Sequence, residues 1–237
     1  MFCCIIGEMI LNGELYMELH ELIKNLYGVD KLEGYSDEDI AFLKEMFGDM
    51  PEVLEDYYRK AGRTEILKHL QDEWILPEHY KKWEWLKENN DFYILMNENQ
   101  GVFQFGIRRE DMSKSNPPVY YIEDESIIKF FDTLSEFLFF QSAYQSVFTF
   151  EYSSEEFYSI TEDEMEIIEE RLNKYPFEIK DEEQGYPFNM SFYYNADDNL
   201  YVVINCGEGD IQAIYGAVSE KSFDKLEKVV GNLGEPM

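Results

Sequence analysis

The sequence predicts an α+β fold, with helices packed against a mixed, mainly antiparallel sheet. Three observations carry that expectation. Apolar residues recur at intervals of three and four through the stretch ending near Leu86, which is the period of an amphipathic helix. From Phe92 onward they occur in short runs and alternations bounded by polar turns, which is the pattern of strands. Finally, 45% of the 237 residues are apolar, with 18 Phe, 18 Tyr and 3 Trp. A disordered chain lacks such burial capacity, and a globule of this length buries roughly 70% of its unfolded surface.

The elements follow in order. Leu15, Leu19, Leu22, Ile23 and Leu26 lie at helical spacing before Gly28. A second helix starts at Ser36, with Asp39 completing a capping pattern and Ile40, Leu43 and Phe47 facing inward. Met50-Pro51 opens a third, through Leu54, Tyr57 and Tyr58 to Gly62. Pro77 suits the first turn of a fourth, where its missing N–H costs nothing, and Tyr80, Trp83 and Leu86 face inward. Phe92 to Met96 reads as a strand buried on both faces, and the polar turn Asn97 to Gly101 leads into a second strand, Val102 to Ile107. Pro117-Pro118 can end a loop but not sit inside a sheet, so Val119 to Ile122 is a third strand. Thr133 with Glu136 caps a helix through Phe137, Leu138, Phe140 and Tyr144.

Composition shifts at residue 151. Between Glu151 and Glu183 stand 13 acidic and 3 basic residues. Thr161 with Glu164 caps an acidic helix whose only apolar stripe is Met165, Ile168 and Leu172, so it lies on the surface. Asp181-Glu182-Glu183 is a loop. Strands follow at Phe188 to Tyr194, Leu200 to Ile204 and Ile211 to Val218, and a closing helix carries Phe223, Leu226, Val229 and Val230. The expected organisation is an N-terminal segment and helix over 1–35, an α+β core over 36–150, and an acidic extension over 151–237 packed on the same sheet.

Charge narrows the function. Twenty Lys and Arg against 50 Asp and Glu give a formal net charge of -30. Nucleic-acid affinity comes chiefly from cations that displace the phosphates' counterions, so direct binding to DNA, RNA or an anionic membrane is excluded. Such a charge destabilises the compact state by self-repulsion and exceeds what solubility needs, which points to a strongly basic partner. Three cysteines, two of them adjacent as Cys3 and Cys4, write no disulfide framework or paired zinc site, and the expected compartment is a reducing cytoplasm. Met1 to Leu11 is mostly apolar, but Glu8 interrupts it, and no basic start or small-residue cleavage site accompanies it. It reads as a buried segment or a fraying tail.

Catalytic motifs are weak. Cys206 sits beside Gly207-Glu208-Gly209-Asp210, yet the histidines, His20, His69 and His79, all lie in the helical first half. A cysteine at a strand end is more often a small hydrophobe than a nucleophile. His69 and His79 have no zinc-ligand spacing. Asp197-Asp198-Asn199 lacks the alternate ligands, the glycine and the closing glutamate of a calcium loop, and is a hairpin turn. No catalytic residue, metal site or cofactor is expected.

Several of these pieces fall in a recognisable order: Ser36 to Phe47, Met50-Pro51, Tyr57-Tyr58-Arg59-Lys60-Ala61-Gly62, Glu98-Asn99-Gln100-Gly101-Val102, Phe105-Gly106-Ile107, Asn116-Pro117-Pro118-Val119-Tyr120 and the Leu134 to Gln141 helix. Together they resemble the SUKH superfamily, which joins fungal Smi/Knr-type cell-wall regulators with bacterial immunity proteins. The likeness covers about Ser36 to Gln145, with Phe105 where the family usually has tryptophan and Asn116 where it has aspartate. It implies a non-enzymatic intracellular immunity protein that binds and neutralises a basic, nuclease-type toxin. The second reading is a regulatory scaffold of the fungal type, and the third a small-molecule hydrolase. Family-like candidates for the partner surface are Glu98, Asn99, Gln100, Asn116, Pro117 and Pro118. The charge argument adds Asp181, Glu182 and Glu183.

Overall fold

The structure is a computed structural model, and it describes residues 10–11, 14–15, 19–68, 70–179, 189–195, 199–205 and 211–237. In chain order the elements are β1 (Ile10–Leu11), β2 (Glu14–Leu15), α1 (Leu19–Tyr27), α2 (Asp37–Phe47), α3 (Glu52–Lys60), β3 (Glu73–Trp74), α4 (Pro77–Lys82), α5 (Glu84–Glu88), β4 (Phe92–Asn97), β5 (Gln104–Arg108), β6 (Val119–Glu123), β7 (Ser126–Phe131) and α6 (Leu134–Val147). Then come β8 (Tyr152–Ser153), β9 (Tyr158–Ile160), α7 (Glu162–Arg171), β10 (Asn173–Ile179), β11 (Asn189–Tyr194), β12 (Asn199–Asn205), β13 (Ile211–Ala217), α8 (Glu220–Val230) and β14 (Glu235–Pro236). Helices pack against antiparallel sheets, the α+β class expected, and every described pairing is antiparallel. None of the described helices is long and apolar enough to cross a membrane.

The chain divides into two compact units, 1–20 with 30–138 and 21–29 with 139–237. The division therefore falls inside α6 rather than at residue 150, and 21–29 groups with the second unit. The later strands do not extend the first sheet. They form a sheet of their own in the order β10-β11-β12-β13-β9-β14, with β8 also on β13.

The first unit holds the five-stranded sheet β3-β4-β5-β6-β7. Its helices start where capping chemistry allows. Ser36 and Asp39 exchange backbone and side-chain hydrogen bonds to close the N-terminus of α2, and Pro51 precedes α3. The fourth helix breaks at Trp83 into α4 and α5, because the extended backbone there (ψ 116°) interrupts the ladder. Leu15 belongs to a strand, not to the first helix, since two-residue pairing leaves too little periodicity to be seen. Phe92 to Met96 are all buried, as a strand covered on both faces requires. On one face Phe105 packs within 6 Å of Tyr121, Phe130, Phe131 and Phe137. Beside them, Tyr58 and Tyr93 share a 3.0 Å hydroxyl contact and Tyr80 donates to the Ile94 carbonyl at 2.8 Å. Burial pushes all three phenols above their ordinary range, so they stay neutral donors.

The second unit packs Ile160, Ile168, Leu172, Tyr193, Leu226 and Val230 into one core. Met165 and Ile168 of α7 face it and the acidic positions Glu162, Asp163, Glu166, Glu169 and Glu170 are exposed, as the stripe predicts. Asp181, Glu182, Glu183, Cys206 with its glycine turn, His69, Cys3, Cys4 and Asp197-Asp198 lie outside the described residues.

Candidate functional site

The turn singled out in the sequence is built by its own glutamate. Gly101 (φ +74°) donates to the Glu98 carbonyl at 2.9 Å, and Glu98 donates to the Phe103 carbonyl at 3.0 Å. One carboxylate oxygen of Glu98 then accepts from the Gln100 N–H at 2.9 Å and the Val102 N–H at 3.1 Å. Glu98 is thereby held as a turn-former, while Asn99 and Gln100 stand exposed at the tip.

This turn rests on a segment that sequence reasoning passed over. The Asn99 N–H donates to Asp72 at 3.1 Å, and Asp72 is 7% exposed. One residue on, Glu73 accepts from the Asn97 side-chain amide at 3.1 Å, as the Glu73↔Asn97 register of β3 on β4 demands. The only signal was a Gln71-Asp72-Glu73-Trp74 stretch between two helices, and a two-residue strand shows no alternation to detect.

Beside the turn this segment lines a cavity of about 270 Å³, with Lys68, Asp72, Glu73, Trp74, Glu78 and His79 in its wall. Trp74 is 5% exposed, and its indole Nε1–H finds no acceptor among the described residues. A buried orphan donor costs about 1–3 kcal/mol. His79 accepts the Leu76 N–H on Nδ1 at 3.0 Å, which leaves the neutral ring's proton on Nε2, and its ring stacks on Trp83 at 4.4 Å. Glu78 accepts the Tyr35 hydroxyl at 2.6 Å, and burial, then the Glu78 carboxylate, raise that phenol above its ordinary range. Lys68 pairs with Glu65 at 3.1 Å. The wall therefore carries three carboxylates together with an ammonium and an imidazole. Among the described residues, no three His, Cys, Asp or Glu converge as metal ligands.

The other family-like loop is not part of this site. Asn116 accepts the Ser135 N–H at 3.0 Å, helping to cap α6, and Pro117 is buried ahead of β6. Because Gln104 pairs with Ile122 near the far end of β6, the loop 116–118 and the turn 98–101 sit at opposite ends of the β5–β6 pair. Asn116 and Pro117 thus help to build the start of α6 and the entry to β6.

Comparison with models of protein families, with curated proteins and with solved structures finds no match in any of the three. What the chain does must therefore be argued from its own chemistry.

Proposed function

We propose that this chain is a non-enzymatic, cytoplasmic immunity protein of SUKH type that binds and neutralises a basic, nuclease-type toxin. The observation that carries the reading is the placing of Asp72, Glu73 and Glu78 around one cavity beside the exposed tip of the Glu98 turn, in a chain of net charge -30. A nuclease is basic where it holds phosphate. An acidic inhibitor can occupy that surface and be steered onto it at up to ~10⁸ to 10⁹ M⁻¹ s⁻¹ at low salt. The ordered resemblance from Ser36 to Gln145 supports the same class.

The test is the association rate against ionic strength with the toxin encoded beside this gene. Exposed charges reach only about 8 Å at 0.15 M salt, so a steered complex associates far more slowly as salt rises. The triple variant Asp181→Lys, Glu182→Lys, Glu183→Lys should associate more slowly while melting normally. A salt-independent rate would remove the electrostatic basis of this reading.

A further inference from the structure

We infer that the free edge of β7 takes up an extended, basic segment of the partner as a sixth strand of the first unit's sheet, its backbone pairing with Ile127 and Lys129 while an arginine or lysine at its end meets Asp124 and Glu125. The inference rests on the immunity reading for who the partner is, but the edge itself argues for the kind of segment. β7 ends the order β3-β4-β5-β6-β7, so only one of its sides is paired. The register sets Glu123 against Ser126 across the two-residue turn Asp124-Glu125, then Ile122 against Ile127, Tyr121 against Ile128 and Tyr120 against Lys129. The pair flanking such a turn carries the turn's own hydrogen bond, and bonded and non-bonded pairs alternate from there along an antiparallel ladder. Ile127 and Lys129 therefore turn their N–H and C=O groups away from β6, and among the described residues no partner meets them. Two donors and two acceptors at strand spacing are a template for another strand.

The surroundings select the occupant. Ile127 is 45% exposed, its cross-strand neighbour Ile122 is half-buried, and Val102, 54% exposed, stands two residues ahead of Gln104, which pairs with Ile122. These apolar groups lie at the end of the sheet closed by Asp124 and Glu125, both exposed and without a cation among the described residues. At the other end Lys129 already holds Asp132. An apolar middle with an acidic rim at one end suits a strand of β-branched residues that ends in a cation. A second copy of this chain suits it less. Two bodies of net charge -30 repel, and the antiparallel register centred on Ile128, which overlaps most of β7 with itself, sets Asp124 of each copy against Asp132 of the other.

The experiment uses the full chain and a synthetic strand, acetyl-Arg-Thr-Val-Thr-Val-Arg-amide, followed by proton–nitrogen NMR at the amides of Ile127 and Lys129. With arginine at both ends, the peptide meets Asp124 and Glu125 whichever way it runs. Expected are saturable shifts and slowed hydrogen exchange at both amides, with binding about tenfold weaker once glutamine replaces both arginines. Ile127→Pro removes an edge-facing N–H and leaves the β6 ladder whole, so it should weaken binding about tenfold, read at the Lys129 amide. Should that variant melt early, a peptide N-methylated at its four central residues makes the same test on the wild type, since it keeps every side chain, loses its donors and should not bind. Unmoved Ile127 and Lys129 amides would overturn the inference. So would equal binding of the glutamine peptide or of the N-methylated one, which would mean that charge or the backbone ladder plays no part. A dimer in sedimentation that Ile127→Pro dissolves would overturn it too, since a second copy would then own the edge. Toxin association that slows steeply with salt, while both amides stay unprotected in the complex, would retire this inference and leave the immunity reading standing. Absence of toxin binding by a protein whose β7 edge takes up the basic peptide would do the reverse.

Discussion

At Gly34 an added methyl group would stand 1.6 Å from the carbonyl oxygen of Arg59, closer than any non-bonded contact allows. The strand-like segment 33–35 runs against the end of α3 here, with Tyr35 N–H donating to the Tyr58 carbonyl and Arg63 N–H to the Glu33 carbonyl, both at 2.8 Å. Because the obstacle is backbone, it cannot swing aside. Gly34→Ala should therefore destabilise the protein by about 3 kcal/mol, measured as a lower urea midpoint with an unchanged slope. A loss under ~1 kcal/mol would mean that the 33–35 segment can lift from α3. Nothing in the sequence marks this glycine, since its neighbour lies 25 positions away and close approach leaves no local pattern. Glu98 is a contrasting case. Its type and place in a turn were legible, but its role was not, because a carboxylate that binds a partner and one that satisfies its own turn look alike in sequence. Glu98→Ala should cost about 1–2 kcal/mol through two freed N–H groups, while Gln100→Ala should stay within ~0.5 kcal/mol. Equal effects in urea unfolding would show that the turn is not held by the Glu98 carboxylate.

Helix α7 shows what capping chemistry makes legible and what it hides. Thr161 and Glu164 close a reciprocal box, as their spacing predicts, with the Thr161 N–H donating to Glu164 at 2.8 Å. The second oxygen of Glu164 accepts the Gly234 N–H at 2.8 Å, fastening the C-terminal segment in front of β14. That second bond spans 70 residues and has no local sequence signature. The Gly234 N–H, then the Thr161 N–H, lower the Glu164 pKa below its ordinary value. A carboxyl depressed in the folded state adds stability that is fully present above its unfolded value, about 4.3, and is lost as pH falls through the lower folded value. Glu164→Gln should therefore cost about 1 kcal/mol at neutral pH and flatten the acid limb of the stability curve. Parallel acid limbs for variant and wild type would assign that limb to other carboxylates. The same contrast runs through the other elements. Helices with a capping residue or an opening proline and a stripe, α2, α3, α6 and α7, were legible, as were β4, β5, β6 and the strand core of β11 to β13. The two- and three-residue strands β3, β8, β9 and β14 were not, because they are strands by virtue of their partners. Even β7 escaped notice: as an edge strand it leaves Ile127 45% exposed and carries no clean alternation.

Over the whole chain 50 carboxylates face 20 basic side chains, so ion pairing cannot neutralise the molecule. The pairs that form, Lys44–Glu55 at 2.6 Å and Lys60–Asp56 at 2.9 Å among them, involve partly exposed side chains and are each worth at most about 1 kcal/mol. They act at contact distance, whereas the repulsion among the surplus carboxylates acts over many ångströms. Salt therefore removes more repulsion than attraction, since a Debye length of about 10 Å at 0.1 M cuts off distant charges first. The folded state suffers that repulsion more than the expanded unfolded chain. Raising sodium chloride from low to physiological strength at neutral pH should stabilise the protein by at least ~1 kcal/mol, seen as an upward shift of about 2–4 °C in Tm for a chain of this size. A flat or falling Tm would mean that the contact pairs outweigh the surplus charge. Under the proposed function, the same salt series run against a basic partner should have the opposite sign, slowing association while this protein itself grows more stable. Opposite signs separate steering from folding: if association slowed only where the protein also lost stability, the charge would be acting through the fold and not on the partner.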